Sequence, residues 1–309
     1  MKYLTFFLSI LISLISLEFF VRIFIDNGFN YEIEMMKYAN KLKIISENKS
    51  IGIEHKKNAK GKFMGTVINL NSDGFRNNMN LKFDSKKILM LGDSMTLGWG
   101  ANNPFPNALN DKIANYEVIN AGIGNTNTIM QIENFFENFI EKYNYKIIIL
   151  NFFINDFEKV EIKKPNILQK YSYLYTYISN NLNTVLIKFK IKKNWNRFYS
   201  ETYTDIKIKN DTFNQILKLK NYCEKNDIKL IIHNIPELRN LNNYKFTQET
   251  NLIKDFALNN EIEFINSHSV LKNYNDSDLW VTKLDSHAND NAHEIISEFI
   301  YQKISKYLE

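Results

Sequence analysis

Residues Lys87–Gly100 read KILMLGDSMTLGWG. Four consecutive apolar residues, Ile88 to Leu91, predict a strand buried on both faces. The run halts at Gly92-Asp93-Ser94, and an amphipathic segment begins. A serine that ends a parallel strand and opens a helix stands where open α/β sheets place their ligands. The helix amino terminus there offers free N–H groups and a partial positive charge to an anion. A serine nucleophile needs both, because an oxyanion develops beside it. The stretch therefore nominates Ser94 as a nucleophile and its own N–H as an oxyanion donor. Gly-Asp-Ser is also ordinary turn chemistry, with Asp or Ser capping a helix. The rest of the chain has to decide between the two.

Working outward, short apolar runs recur at 86–92, 116–120, 146–152, 228–234 and 262–266. Amphipathic segments lie between them near 104–115, 126–144, 206–226 and 247–260. Strands alternating with helices predict a parallel sheet covered by helices on both faces. Residues 158–205 break the alternation and are rich in Tyr, Lys and Asn. They are too long for a simple loop and read as a helical insertion beside the active face. Its aromatic residues either pack onto the domain or shape a cleft. Residues 26–66 are polar and irregular and read as a stalk. The sequence holds no internal repeat.

The chain has 309 residues, 44% of them hydrophobic and 14% aromatic, enough for a large core. Its net charge of +5 comes from 39 basic and 34 acidic residues interspersed along the chain. No long basic block is present, so nucleic acid is not an expected partner. A single cysteine, Cys223, excludes an internal disulfide and a cysteine-based metal cluster. It falls in a helical pattern and reads as a buried structural thiol. Residues 3–25 are almost wholly apolar, about the length that crosses ~30 Å of hydrocarbon. Glu18 and Arg22 are four apart, on one helical face where they can pair. A cleaved signal peptide is the rival reading. The small-x-small cleavage pattern is missing, and the apolar run is longer than a usual signal core. An uncleaved signal-anchor over 1–25 is expected. Lys2 places the amino terminus in the cytoplasm and the bulk of the chain outside it.

Near the carboxyl end stands LDSHANDNAHEIISEFIYQKI. Asp285 and His287 immediately precede an amphipathic helix. A serine hydroxyl needs a base, a histidine supplies one near neutral pH, and a carboxylate holds its tautomer. His293 is the first rival but lies inside the helical pattern. His55, His233 and His268 remain alternatives, with His233 in a strand-like run. Two further strand ends offer oxyanion donors. EVINAGIGNTNT (117–128) carries Gly122 and Gly124, where backbone can approach a ligand closely. LNFFINDFE (150–158) ends at Asn155-Asp156, and an Asn amide can donate to an oxyanion. Ordinary turn chemistry explains each alone, but three parallel strand ends share one rim.

NLNSDGFRN (69–77), GDSMTLGWG (92–100), NAGIGN (120–125), FIND (153–156) and DSHAN…AH (285–293) follow in order. With that spacing the chain resembles the SGNH, or GDSL-type, hydrolase superfamily, most of all its membrane-anchored bacterial members. The resemblance runs from about residue 68 to the carboxyl end. It implies a flavodoxin-like, three-layer α/β/α domain over 67–309 with a five-stranded parallel sheet, preceded by the transmembrane helix. It implies Ser94 as nucleophile and backbone oxyanion donor, Asn155 as side-chain donor, His287 as base and Asp285 as its orienting acid. Asp93 and Asp156 become structural neighbours of the site. The second backbone donor of such enzymes aligns with Asn125, beside Gly124, and both stay candidates. Phe153 replaces a frequent glycine, Asp285-Ser286-His287 is one residue shorter than the common spacing, and Ala288 replaces a frequent proline. None of these removes a catalytic atom. The implied chemistry is two-step acyl transfer with no metal and no cofactor. The expected function is a serine esterase acting on O-acyl groups of envelope glycans or lipids. The alternatives are an O-acetyltransferase modifying a surface polysaccharide and, from another class, a catalytically silent membrane-anchored binding module.

Overall fold

The computed structural model describes residues 2–77 and 80–308, without the side chains of 195 and 196. Helix α1 (Lys2–Phe20) continues through a π-helical turn to Ile25, and α2 covers Tyr31–Leu42. Two small antiparallel hairpins follow: β1 (Lys43–Ile45) with β2 (Ile53–His55), and β3 (Lys60–Phe63) with β4 (Thr66–Asn69). The main domain then runs β5 (Lys86–Gly92), α3 (Ser94–Leu97), α4 (Phe105–Asn110), β6 (Tyr116–Gly122), α5 (Thr128–Asn138) and β7 (Asn144–Phe152). The insertion forms α6 (Ile167–Tyr171), α7 (Tyr173–Lys188) and α8 (Trp195–Thr202). The chain closes with α9 (Ile206–Lys225), β8 (Lys229–Asn234), α10 (Thr247–Asn259), β9 (Glu263–Asn266), α11 (His268–Leu271), a hairpin of β10 (Trp280–Thr282) and β11 (Asp285–Ala288), and α12 (Asp290–Ile304).

The five long strands form one parallel sheet in the order β6-β5-β7-β8-β9. This is the flavodoxin-like strand order, and β5, the first strand of the sheet, lies at its switch point. The apolar run of β5 is buried because each face meets a separate core. Leu89 and Leu91 join Ile119, Ile148, Ile216 and Ile253 on one side. Ile88 and Met90 join Val118, Ile149, Ile296 and Ile300 on the other. Predicted and observed strands agree within two residues. Two helices are shorter than their amphipathic patterns, α4 ending at Asn110 and α5 at Asn138.

The segment 26–66, read as a stalk, does not stand clear of the domain. Ile33, Tyr38 and Leu42 form the buried face of α2, and Phe63 and Ile68 alternate inward on the β3–β4 hairpin. Tyr38, Leu42, Phe63, Met64, Ile68 and Leu70 make a third core with Leu97 and Trp99 of the main domain. Met64 and Gly65 both take positive φ, 47° and 77°, the two-residue turn that matches strand twist. Polar outward positions dilute the apolar pattern here, so the pattern alone reads as irregular.

The segment Lys2–Ile25 is long and apolar enough to cross a membrane, a test that a signal sequence also passes.

Candidate active site

Ser94 occupies the first position of α3, so its N–H has no intrahelical acceptor. Asp93 caps the turn, its Oδ1 accepting from the Met95 N–H at 2.8 Å. Gly98, at φ 82°, ends it after four residues. The register pairs Gly92 with Gly122, which sets the β6 loop against this turn. A Cβ on Gly122 would lie 2.2 Å from the Leu97 nitrogen, so only glycine allows that approach. Buried Arg76 clamps the far side of the turn. Its guanidinium donates to the carbonyls of Leu97, Gly98 and Ala101 at 2.8, 2.5 and 2.6 Å.

His287 and Asp285 come from β11. Side chains two apart on a strand share a face, which is why Asp-Ser-His works without the extra residue. The Ser94 Oγ lies 3.0 Å from His287 Nε2, and His287 Nδ1 lies 2.6 Å from Asp285 Oδ1. With Nδ1 donating to Asp285, Nε2 is left to accept from the serine hydroxyl. Asp285 Oδ1 also accepts the His287 backbone N–H at 3.1 Å. Its Oδ2 accepts the Trp99 indole N–H at 3.1 Å. Tyr31 of α2 stacks on the imidazole, 5.7 Å between centroids at 24°, and meets Trp99 edge-on.

Burial opposes charge on both members of the acid–base pair, and their mutual attraction overcomes it. The His287 pKa is raised above its usual value by the Asp285 carboxylate despite burial. That of Asp285 is lowered, despite burial, by His287 and by the Trp99 N–H. Burial raises Asp93, partly offset by the Met95 N–H and by His287. Asp156 is raised well above its usual value by burial and then by the neighbouring Asp93 charge.

The other expected residues divide. Asp156 is a buried anchor, accepting from the Phe153 N–H at 2.6 Å and from Gln131 Nε2 at 3.0 Å. Asn155 lies close enough to Asp93 to favour its charged form, and its Oδ1 is buried without a hydrogen-bond partner. Gly124 passes over Ser94: a Cβ there would sit 3.6 Å from the Ser94 Cβ. Its N–H, however, donates to the Tyr38 hydroxyl at 3.2 Å. Tyr38 also lies 2.6 Å from His55 Nε2, and His55 Nδ1 lies 3.0 Å from the Gly74 carbonyl. Asn125, at φ 62°, is exposed and lines a separate groove with Lys43 and Ile162.

The remaining histidines serve packing. His233 is bonded to Asn151 and Ser267, and His293 accepts the Phe105 N–H. Burial pushes His55, His233 and His293 all down to about 3. His268 bonds the Leu241 carbonyl. Cys223 is buried and free. Among the described residues, no group of three or more His, Cys, Asp or Glu side chains is arranged to hold a metal ion.

The array opens into a pocket of about 440 Å³ lined by Tyr31, Glu32, Phe153, Tyr199, Glu237 and Arg239. Burial raises the pKa of both Glu32 and Glu237. Glu237 pairs with Arg239 at 3.0 Å and accepts from Ser286 Oγ at 3.1 Å. Sequence reading missed Trp99, Arg76, Tyr31 and Tyr199 as parts of the site. Trp99 and Arg76 lie within the quoted blocks, whereas Tyr31 and Tyr199 reach the site only through the tertiary fold.

No family model matches the chain, and no curated protein matches it. Solved structures do. A member of the lipolytic G-D-S-L family from Veillonella parvula is 12% identical, covering 72% of this chain and 100% of its own, with TM-score 0.45. Axe2, an acetylxylan esterase from Geobacillus stearothermophilus, is 13% identical over 73% of this chain and 96% of its own, with TM-score 0.46. Another acetyl xylan esterase is 16% identical over 71% and 99%, with TM-score 0.44.

Proposed function

We propose that this protein is a serine esterase of the SGNH type, held in a membrane by α1 and acting on O-acyl groups of envelope glycans or lipids. The unbroken run from Ser94 Oγ through both imidazole nitrogens to a buried Asp285 carries the reading. Ser94 Oγ attacks the ester carbonyl, and His287 Nε2 takes its proton while Asp285 stabilises the imidazolium. The tetrahedral oxyanion is held by the Ser94 N–H and by the Asn155 side-chain NH2, which stands beside Asp93 at the nucleophile turn. The Gly124 N–H is already committed to Tyr38 and acts by holding the loop in place. His287 then protonates the departing alcohol. Water attacks the acyl-enzyme and gives a proton to His287, which passes it to the Ser94 Oγ as the acyl–oxygen bond breaks and the acid is released. Tyr31, Phe153 and Tyr199 give the alcohol half flat apolar walls, and Glu32 and Glu237 supply acceptors for hydroxyl groups.

Retention of α1 is supported by its carboxyl end, which is built into the fold. Glu18 accepts from Ser172 Oγ and from the Tyr173 and Leu174 N–H groups at 2.7–3.0 Å. Arg22 donates to the Tyr171 carbonyl at 2.6 Å and lies over the Tyr173 ring. A cleaved signal would leave the first turn of α7 without this cap.

The test is intact-mass labelling of the full chain in detergent with a fluorophosphonate. One adduct is expected in the wild type and none in Ser94→Ala or His287→Ala. A wild type that takes no adduct, or an adduct retained in Ser94→Ala, overturns the reading.

A further inference from the structure

The insertion carries an apolar face that none of the described residues covers. Tyr175, Ile178, Leu182, Val185 and Phe189 recur at alternating spacings of three and four, one stripe along α7 and its cap. Ile178, Leu182 and Phe189 are 53%, 55% and 71% exposed. The first turns of α7 pack on α2, with Thr176 Oγ1 on Met36 and Lys37 over the Tyr173 ring, on the side away from Tyr175 and Ile178. An amphipathic helix with its apolar side turned to water needs an occupant.

Two observations choose the occupant. The stripe is continuous with the membrane segment: α7 begins on Glu18 and Arg22, near the carboxyl end of that segment, where Ile23 and Phe24 are also exposed. Its far end carries Lys188 and Lys190, both exposed, beside exposed Phe189 and Ile191. Apolar side chains flanked by lysines suit the boundary of a bilayer with anionic headgroups. A second copy of this chain would gain nothing from that charge or from that continuity.

We propose that α7 and the residues to Ile191 lie in the interfacial layer of the same bilayer that holds α1, a second membrane contact that rests on the anchor reading above. The consequence concerns the site. Tyr31 and Glu32 line the pocket from α2, just beyond the end of the span at Ile25, and Tyr199 lines it from α8 of the same insertion. The pocket mouth is therefore held beside the lipid surface, where an ester carried by a membrane lipid or a lipid-linked glycan presents itself.

The experiment places an environment-sensitive dye on the full chain in vesicles of phosphatidylethanolamine and phosphatidylglycerol. Single cysteines are introduced as Leu182→Cys, Phe189→Cys, Leu11→Cys in the span and Gln302→Cys on α12. Native Cys223 stays unlabelled, being buried with its thiol pushed up to about 12. Lipids brominated near the headgroup should quench the dye at 182 and 189 roughly twofold, the depth an interfacial helix reaches. The dye at 302 should be unaffected. Lipids brominated deeper in the chain should quench the dye at 11. Quenching at 11 with water-like emission at 182 and 189 overturns the proposal and leaves the anchor standing. No quenching at any position overturns the anchor and the proposal together. Blue-shifted but unquenched emission at 182 that tracks protein density assigns the stripe to a second copy and also overturns the proposal.

Discussion

Trp99→Phe separates packing from electrostatics at the acid end of the array. The indole is 1% exposed and meets Tyr31, Tyr38 and Phe63. Phenylalanine keeps most of those contacts and removes one N–H. That N–H is the hydrogen-bond donor to Asp285 Oδ2; Oδ1 is taken by His287. A hydrogen bond to a charged group contributes about 1.5–3 kcal/mol. If that stabilisation is lost where the Asp285–imidazolium pair forms, at about 1.36 kcal/mol per tenfold, kcat falls roughly 10- to 150-fold. The pH profile gives a second readout. The indole withdraws charge from Asp285 and holds its pKa down. Without it the carboxylate binds protons more strongly, His287 follows, and the acid limb moves to higher pH. The assay is kcat/KM for a short p-nitrophenyl ester across pH, beside a urea midpoint. A variant within twofold of wild type, with an unmoved limb and only lower stability, would show that the indole merely packs and refute the reasoning.

Other expectations follow from the same geometry. His287 acts as a base only when neutral, and its pKa is raised, so kcat/KM should rise with pH through a midpoint above 6.5. Asp285→Asn removes the main raising group and leaves burial and Asp93, so the midpoint should drop below that of the wild type while kcat falls on the order of 10⁴-fold in the same pH–rate assay. Asn155→Ala should lower kcat on the order of 10²–10³-fold with little change in KM in steady-state ester kinetics. An Asn155→Ala enzyme with full turnover would shift the oxyanion to other donors, with the Gly124 N–H turned away from Tyr38 as the candidate.

The sheet was legible because a parallel strand is buried on both faces and leaves an unbroken apolar run. Ile88–Leu91 and Ile147–Leu150 announce themselves without context. The sequence singled out Ser94 at a strand end that opens a helix and Asp285 and His287 just before the closing helix, and the fold brings the three side chains together although 193 positions separate serine from histidine. The environment of those side chains was not. Tyr31 stacks on His287 and Tyr38 binds the Gly124 N–H through contacts that no local pattern encodes. Asn125 is only partly legible: its place in the motif marks its backbone N–H, the residue lies exposed on a left-handed turn, and Gly124 beside it approaches the serine.

The segment that reads as a stalk bears most directly on the chemistry. An exposed Asp–His pair is worth little, since water screens it. In this chain Tyr31 covers the imidazole, Trp99 covers the carboxylate, and Tyr38 with Phe63 holds Trp99 in place. Excluding water lowers the local dielectric, and the attraction between Asp285 and a protonated His287 grows accordingly. The balance in which charge pairing outweighs burial at His287 therefore depends on residues 31–63 as much as on β11. The helix that closes the acid–base pair from solvent, α2, begins at Tyr31, shortly after the apolar amino-terminal segment ends at Ile25, so the cover on His287 is tied in sequence to that segment.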